Sequence, residues 1–174
     1  MVIVLAMTHT TLDEANPETL VPGLEFRFRI DAQTTASIPI DDRSTGELGF
    51  IPITGGNFSG NLSGTVTPGG DWCLRKAPGT YRVEARYGLL TDAGAYVDVH
   101  NVGILTESSA AGNASAPAEY FMSTPVFRTA DPDLDWLNSA VFIGHAKVLD
   151  GFTRIDVFEV CLPQRSPASG ADLP

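Results

Sequence analysis

From Leu24 the chain alternates. Leu24, Phe26, Phe28 and Ile30 are interleaved with Glu25, Arg27, Arg29 and Asp31, a period of two that predicts a half-buried strand. Further strands are expected over 36–40, 48–53, 56–67, 71–76, 80–91, 94–105, 118–128, 139–148 and 152–161. Turn residues separate them: Asp41 to Gly46, Thr54-Gly55-Gly56, Pro68-Gly69-Gly70, Ala77-Pro78-Gly79, Asp92-Ala93-Gly94 and Asp150-Gly151. No segment sustains a helical period over three turns. Asp131 to Asn138 suits a single helical turn, with Asp131 or Asp133 as its cap.

Many strands at short spacing predict an all-β sandwich or barrel. Closure removes the exposed edges of a meander, so a single antiparallel β-barrel of about nine or ten strands is the expected fold. Its topology would be lipocalin-like or allene-oxide-cyclase-like. The barrel should span 23–161. Residues 1–22 read as an N-terminal extension, 107–117 as a mobile loop, and 162–174 as a disordered tail.

The segment Thr80 to Gly103 carries the densest chemistry. Asp92-Ala93-Gly94 fits a three-residue loop closed by Gly94 in the left-handed conformation. That turn sets Gly88 opposite Asp98 and Arg86 opposite His100. One hairpin face then holds Glu84, Arg86, Asp98 and His100, and the other holds Val83, Ala85, Tyr87, Leu89, Val97, Val99 and Asn101. A slip of one residue would exchange the two faces. With the charged face inside, Arg86 would hold an anionic or carbonyl oxygen and Asp98 would orient His100 for proton transfer; in the mechanism as a whole Arg86 and Tyr87 would stabilise oxyanion charge. With the apolar face inside, the polar candidates become Tyr87, Asn101 and Glu159. A charged face turned to water is the ordinary alternative.

Composition narrows the partners. Eleven basic residues against 21 acidic ones give a net charge of −10, with no basic run to neutralise phosphates. Neither nucleic acid nor an anionic membrane surface is expected as a partner. Hydrophobic residues make up 43%, enough for one well-filled core. The opening MVIVLAM is short, and the first basic residue is Arg27, so neither a secretory signal nor a membrane span is expected and a cytoplasmic location follows. Cys73 and Cys161 read as separate thiols, with one bridge left open. His9, His100 and His145 form no metal-binding spacing. TGG and PGG lead no helix, and GxGxxG and GxSxG are absent, which argues against nucleotide cofactors and serine hydrolysis.

The segments 51–72, 83–103, 119–129, 136–144 and 155–160 together resemble a domain-of-unknown-function family, number 3237. The combination of TGG, PGG-DW, ARY, a Tyr-Phe strand, WLN and a closing Glu-Val carries that resemblance over about residues 24–160. It implies a compact antiparallel barrel with a central cavity, and no particular reaction. The matching positions include Thr54, Gly55, Gly56, Gly69, Asp71, Trp72, Arg86, Tyr87, Asn101, Gly103, Thr124, Pro125, Trp136, Asn138 and Glu159. The chain departs from the family pattern at Met122, where Arg is usual, and at Asp98 and His145. Those departures suggest a larger, less anionic ligand.

The expectation is therefore a cofactor-free enzyme of cyclase, isomerase or lyase type. Its substrate would be a hydrophobic, oxygenated small molecule, as in secondary metabolism. Arg86, Asp98, His100 and Tyr87 are the catalytic candidates. Trp72, Glu84, Asn101, Phe121, Met122, Trp136, Asn138 and Glu159 are the substrate-binding candidates. The alternatives are a non-catalytic carrier or sensor holding an apolar ligand in the barrel, and a structural module with a side-chain-filled interior. A homodimer is compatible with each.

Overall fold

The computed structural model describes residues 21–42, 46–107 and 118–163. The expected extension, loop and tail otherwise lie outside the described residues. Nine strands follow in order: β1 (Gly23–Thr34), β2 (Ile38–Asp41), β3 (Leu48–Gly60), β4 (Gly64–Ala77), β5 (Thr80–Thr91), β6 (Tyr96–Glu107), β7 (Ala118–Thr129), β8 (Phe142–Leu149) and β9 (Phe152–Cys161). A 3-10 turn (Pro132–Leu134) and a short helix α1 (Trp136–Ser139) link β7 to β8. Asp131 caps that turn by accepting from the Asp133 amide.

All pairings are antiparallel, and the order runs β1-β9-β8-β7-β6-β5-β4-β3. A β1–β3 pairing then closes the ring, with Phe28 opposite Gly60 and Ile30 opposite Phe58. The result is a closed eight-stranded barrel, with β2 added at the end of β3. β2 also pairs antiparallel, Ile38 opposite Phe50. Closure satisfies the edge groups that an open meander would expose.

Two glycine clusters read from sequence as turns lie inside strands. β3 runs through Thr54-Gly55-Gly56, and β4 runs through Pro68-Gly69-Gly70. The chain instead reverses at Asn61-Leu62-Ser63, inside the segment expected as one strand over 56–67. At Pro68-Gly69 the β4–β5 register shifts, which marks a bulge. A side chain at Gly69 would collide with the Arg86 carbonyl oxygen and the Tyr87 backbone, so only glycine fits there. A second bulge lies between Phe26 and Phe28. It adds one residue, and Leu24 and Phe26 end exposed while Phe28 and Ile30 are buried. The single apolar face expected for Leu24 to Ile30 is therefore broken in two.

The interior divides into two halves. One half is packed by Phe28, Phe58, Phe127 and Phe142, whose rings meet edge to face at 5.1–6.3 Å. Leu137 of α1 is fully buried and plugs that end. The other half contains Ala32, Ile53, Val83, Ala85 and Ile155 and opens toward a mouth. Outside the barrel, bidentate pairs tie β1 to β9: Arg29 to Asp156 at 2.6 and 3.0 Å, and Arg154 to Asp31 at 2.7 and 2.9 Å.

Candidate functional site

The β5–β6 turn sets the register of the key hairpin as expected. Gly94 has φ of +89°, and its amide donates to the Thr91 carbonyl at 2.9 Å. Arg86 faces His100, and Gly88 faces Asp98. The apolar face points inward: Val83, Ala85, Tyr87, Leu89, Val97, Val99 and Asn101 are all buried. Arg86, Asp98, His100 and Glu84 therefore lie on the outer face. The charged lining considered for the barrel interior is not what the fold builds, because burying the valines and leucine outweighs burying four ionisable groups.

On that outer face His100 Nε2 donates to Glu84 Oε1 at 2.9 Å, and Arg82 reaches Glu84 Oε2 at 3.1 Å. Glu84, rather than Asp98, is the carboxylate that meets the imidazole. His100, followed by Arg82, holds the Glu84 carboxyl below its ordinary range. Trp72 sits opposite Glu84, also outside, and packs on Phe50 at 5.1 Å. Met122 lies on the outer wall in a groove of about 400 Å³ with Ile104 and Tyr120.

Three other candidates gather at the plugged end. Arg27 donates from Nε to Glu159 Oε2 at 2.8 Å and lies 5.6 Å over the Trp136 ring. These residues and Asn61 line a cleft of about 360 Å³. Glu159 is ion-paired there. Asn138 bonds both the amide and the carbonyl of Thr129 at 3.0 Å, which fastens α1 to β7. The two thiols are free: Cys73 lies on the inner face of β4, and Cys161 ends β9.

The inner polar group is Asp71, Tyr87 and Asn101, with Phe121 beside them. All four line one small cavity of about 30 Å³, with room for about two waters. Asp71 reaches it because the bulge at Pro68-Gly69 re-aims the strand. Its Oδ1 accepts the Glu84 amide at 3.1 Å. Burial raises the Asp71 carboxyl to about 6, against the partial lowering from that bond. Burial, and then the Asp71 charge, push the Tyr87 phenol far above its ordinary range. Tyr87 Oη and Asn101 Oδ1 are both buried without a hydrogen-bond partner. Such orphaned atoms are rare in folded proteins, and two on one wall ask for a ligand or water.

The same inner faces continue outward. Beyond Asp71 come Cys73 and Arg75, beyond Val83 comes Tyr81, and beyond Gly103 comes Leu105. With Leu48 and Ile51 they line a mouth cleft of about 650 Å³. Arg75 lies 5.4 Å over the Tyr81 ring and donates to its hydroxyl at 3.0 Å. Burial, with Asp71 second, raises the Cys73 thiol to about 11, so it is no ready nucleophile. Among the described residues no three His, Cys, Asp or Glu side chains converge as a metal site, and no helix is long and apolar enough to cross a membrane.

Asp71 was missing from the expected site. Read as the first residue of a strand over 71–76 that follows a PGG turn, it has no assigned face. The signal lay in the alternation Asp71, Cys73, Arg75 against Trp72 and Leu74, which places it inside once PGG is read as a bulge.

A family model described as "Protein of unknown function (DUF3237)" matches residues 22–160. The chain belongs to this family. A UPF0311 protein of Rhodopseudomonas palustris is 36% identical over 152 residues, covering 81% of this DUF3237 chain and 99% of the relative. The crystal structure of a conserved protein of unknown function from that organism superposes with a TM-score of 0.74 at 31% identity, covering 82% and 99% of the two chains. A β-barrel-like protein of Acinetobacter baumannii gives 0.72 at 29% identity, covering 83% and 98%. A hydroalkoxylation enzyme of Penicillium herquei is 28% identical over 141 residues, covering 80% of this chain and 84% of the enzyme.

Proposed function

We propose that this DUF3237 protein is a small-molecule enzyme of cyclase or isomerase type that moves protons at Asp71, without a bound cofactor. One observation carries the reading: a carboxyl and two partnerless polar atoms, Tyr87 Oη and Asn101 Oδ1, line a single cavity in a mostly apolar barrel. The kinship to a hydroalkoxylation enzyme supports the reaction class. Hydroalkoxylation adds an O–H across a C=C bond. Within one molecule it closes an ether ring and conserves every atom, so it needs no oxidant or reductant.

A group that is acid and base in turn suffices for such a step. The Asp71 carboxylic acid gives its proton to the alkene carbon. The substrate oxygen bonds to the adjacent cationic carbon, and the carboxylate then takes the oxygen's proton. A carboxyl raised to about 6 populates both forms near neutral pH. Tyr87 and Asn101 hold the reacting oxygen: Asn101 Oδ1 accepts from the hydroxyl, and Tyr87 Oη donates to one of its lone pairs, which leaves the other aimed at the cationic carbon. The cavity admits only the reacting tip, and the hydrophobic body rests in the mouth cleft.

A carrier would need an enclosed pocket of ligand size, whereas phenylalanines fill the inner half. A purely structural module would leave the mouth cleft without use.

The test incubates the protein in D₂O with a panel of alkenyl phenols and alkenyl alcohols, read by mass spectrometry. A product isomeric with its substrate, carrying one deuterium on carbon and lost in Asp71→Asn, supports the reading. Unchanged substrates across the panel with saturable binding would favour the carrier instead.

A further inference from the structure

We propose that the outer face of β5–β7 is an isologous dimer interface in which Arg86 of each copy pairs with Asp98 of the other. The surface is two-sided in character. On β1 and β9 the outer charges are matched within the chain, Arg29 by Asp156 and Arg154 by Asp31. On β5 and β6, Arg86 and Asp98 have no ion-pair partner among the described residues, although they are diagonal neighbours. Arg128 stands directly opposite Asp98 and forms no pair with it.

Apolar side chains continue from these charges along β6 and β7. Strand pairing sets Ile104 beside Met122, Val102 beside Thr124, and His100 beside Val126. Ile104, Tyr120 and Val126 leave 42–52% of their surface in water. An exposed, mostly apolar strip bordered by unmatched charges is a common mark of a protein contact. The occupant is a second copy because the charges are self-complementary. A two-fold axis between Arg86 and Asp98 brings each cation onto the partner copy's anion, twice, with no foreign charge required. The groove beside Met122 lies on the same face and offers a recess for the opposing strip.

The test is sedimentation of the full chain at micromolar concentration. The wild type should run at twice the 18.5 kDa chain mass. Arg86→Asp and Asp98→Arg should each halve that mass, since each sets like charges face to face. The double variant carrying both reversals should dimerise again. A wild type that sediments as one chain overturns the proposal, as does a single reversal that stays dimeric. The double variant decides even where a single variant loses its fold: a dimer supports the pairing and a monomer refutes it.

Discussion

Asp71 Oδ1 accepts the backbone amide of Glu84 at 3.1 Å, so the inward-facing carboxyl also completes the β4–β5 ladder. One oxygen is structural and the other is left toward the cavity. The division makes the two roles separable by mutation. Asp71→Asn keeps an acceptor for the amide and removes the exchangeable proton. Turnover of any processed alkenyl substrate should fall by about 10²–10⁴-fold while the fold is retained. Asp71→Ala should lose the acceptor too and cost a further 1–3 kcal/mol or so in stability. Equal turnover in Asp71→Asn and wild type would remove Asp71 from the chemistry.

The raised Asp71 carboxyl also fixes the sign of a pH effect. Its folded value of about 6 exceeds the ordinary 3.8, so the native state holds this proton more tightly than the unfolded chain. Stability from this group is complete below about pH 4 and is lost as pH rises through about 6. The size is on the order of 2–3 kcal/mol. Other carboxyls, such as Asp31, held low by Arg154, oppose this trend. The comparison is therefore between wild type and Asp71→Asn, by urea unfolding at about pH 4 and about pH 7. The variant should gain relative stability at the higher pH. A constant difference across that range would mean that Asp71 titrates normally.

How much of this was legible depends on which local rule dominated. The β5–β6 register was readable because Asp92-Ala93-Gly94 admits few loop geometries, and one loop fixes all eleven pairs. The inward face was not decided by the register alone. It follows from closure, which gives each strand one interior and sends the valines there. The two glycine pairs were misread because Gly and Pro signal a turn or a bulge equally well in sequence. Only β5 on the far side of Gly69 shows which, and that contact is long-range. The same ambiguity hid Asp71, and the bulge at Arg27 hid the outward turn of Phe26.

Gly69 offers a test of that bulge. A methyl group there meets main-chain atoms of Arg86 and Tyr87, which cannot swing aside as a side chain would. Gly69→Ala should destabilise by about 2–4 kcal/mol. It should also shift the aim of Asp71 and Tyr87, so activity falls even under strongly folding conditions. Gly94→Ala, in the exposed turn with φ of +89° and nothing within 4 Å, should cost only about 1 kcal/mol through backbone strain. Thermal unfolding of the two variants side by side distinguishes collision from conformational strain.

Tyr87→Phe separates stability from function most cleanly. The Tyr87 hydroxyl is buried and partnerless, so the folded protein bears its desolvation without a compensating bond. Removing it leaves the ring in its apolar packing. The variant should be as stable as wild type or more so, by about 1 kcal/mol. If that hydroxyl donates to the reacting oxygen, turnover should drop by about 10–100-fold with little change in apparent affinity. Such a pairing of gained stability with lost rate is the signature of a group kept for function. Unchanged rate and raised stability together would reassign Tyr87 to core filling, and leave Asn101 and Asp71 as the polar pair in the cavity.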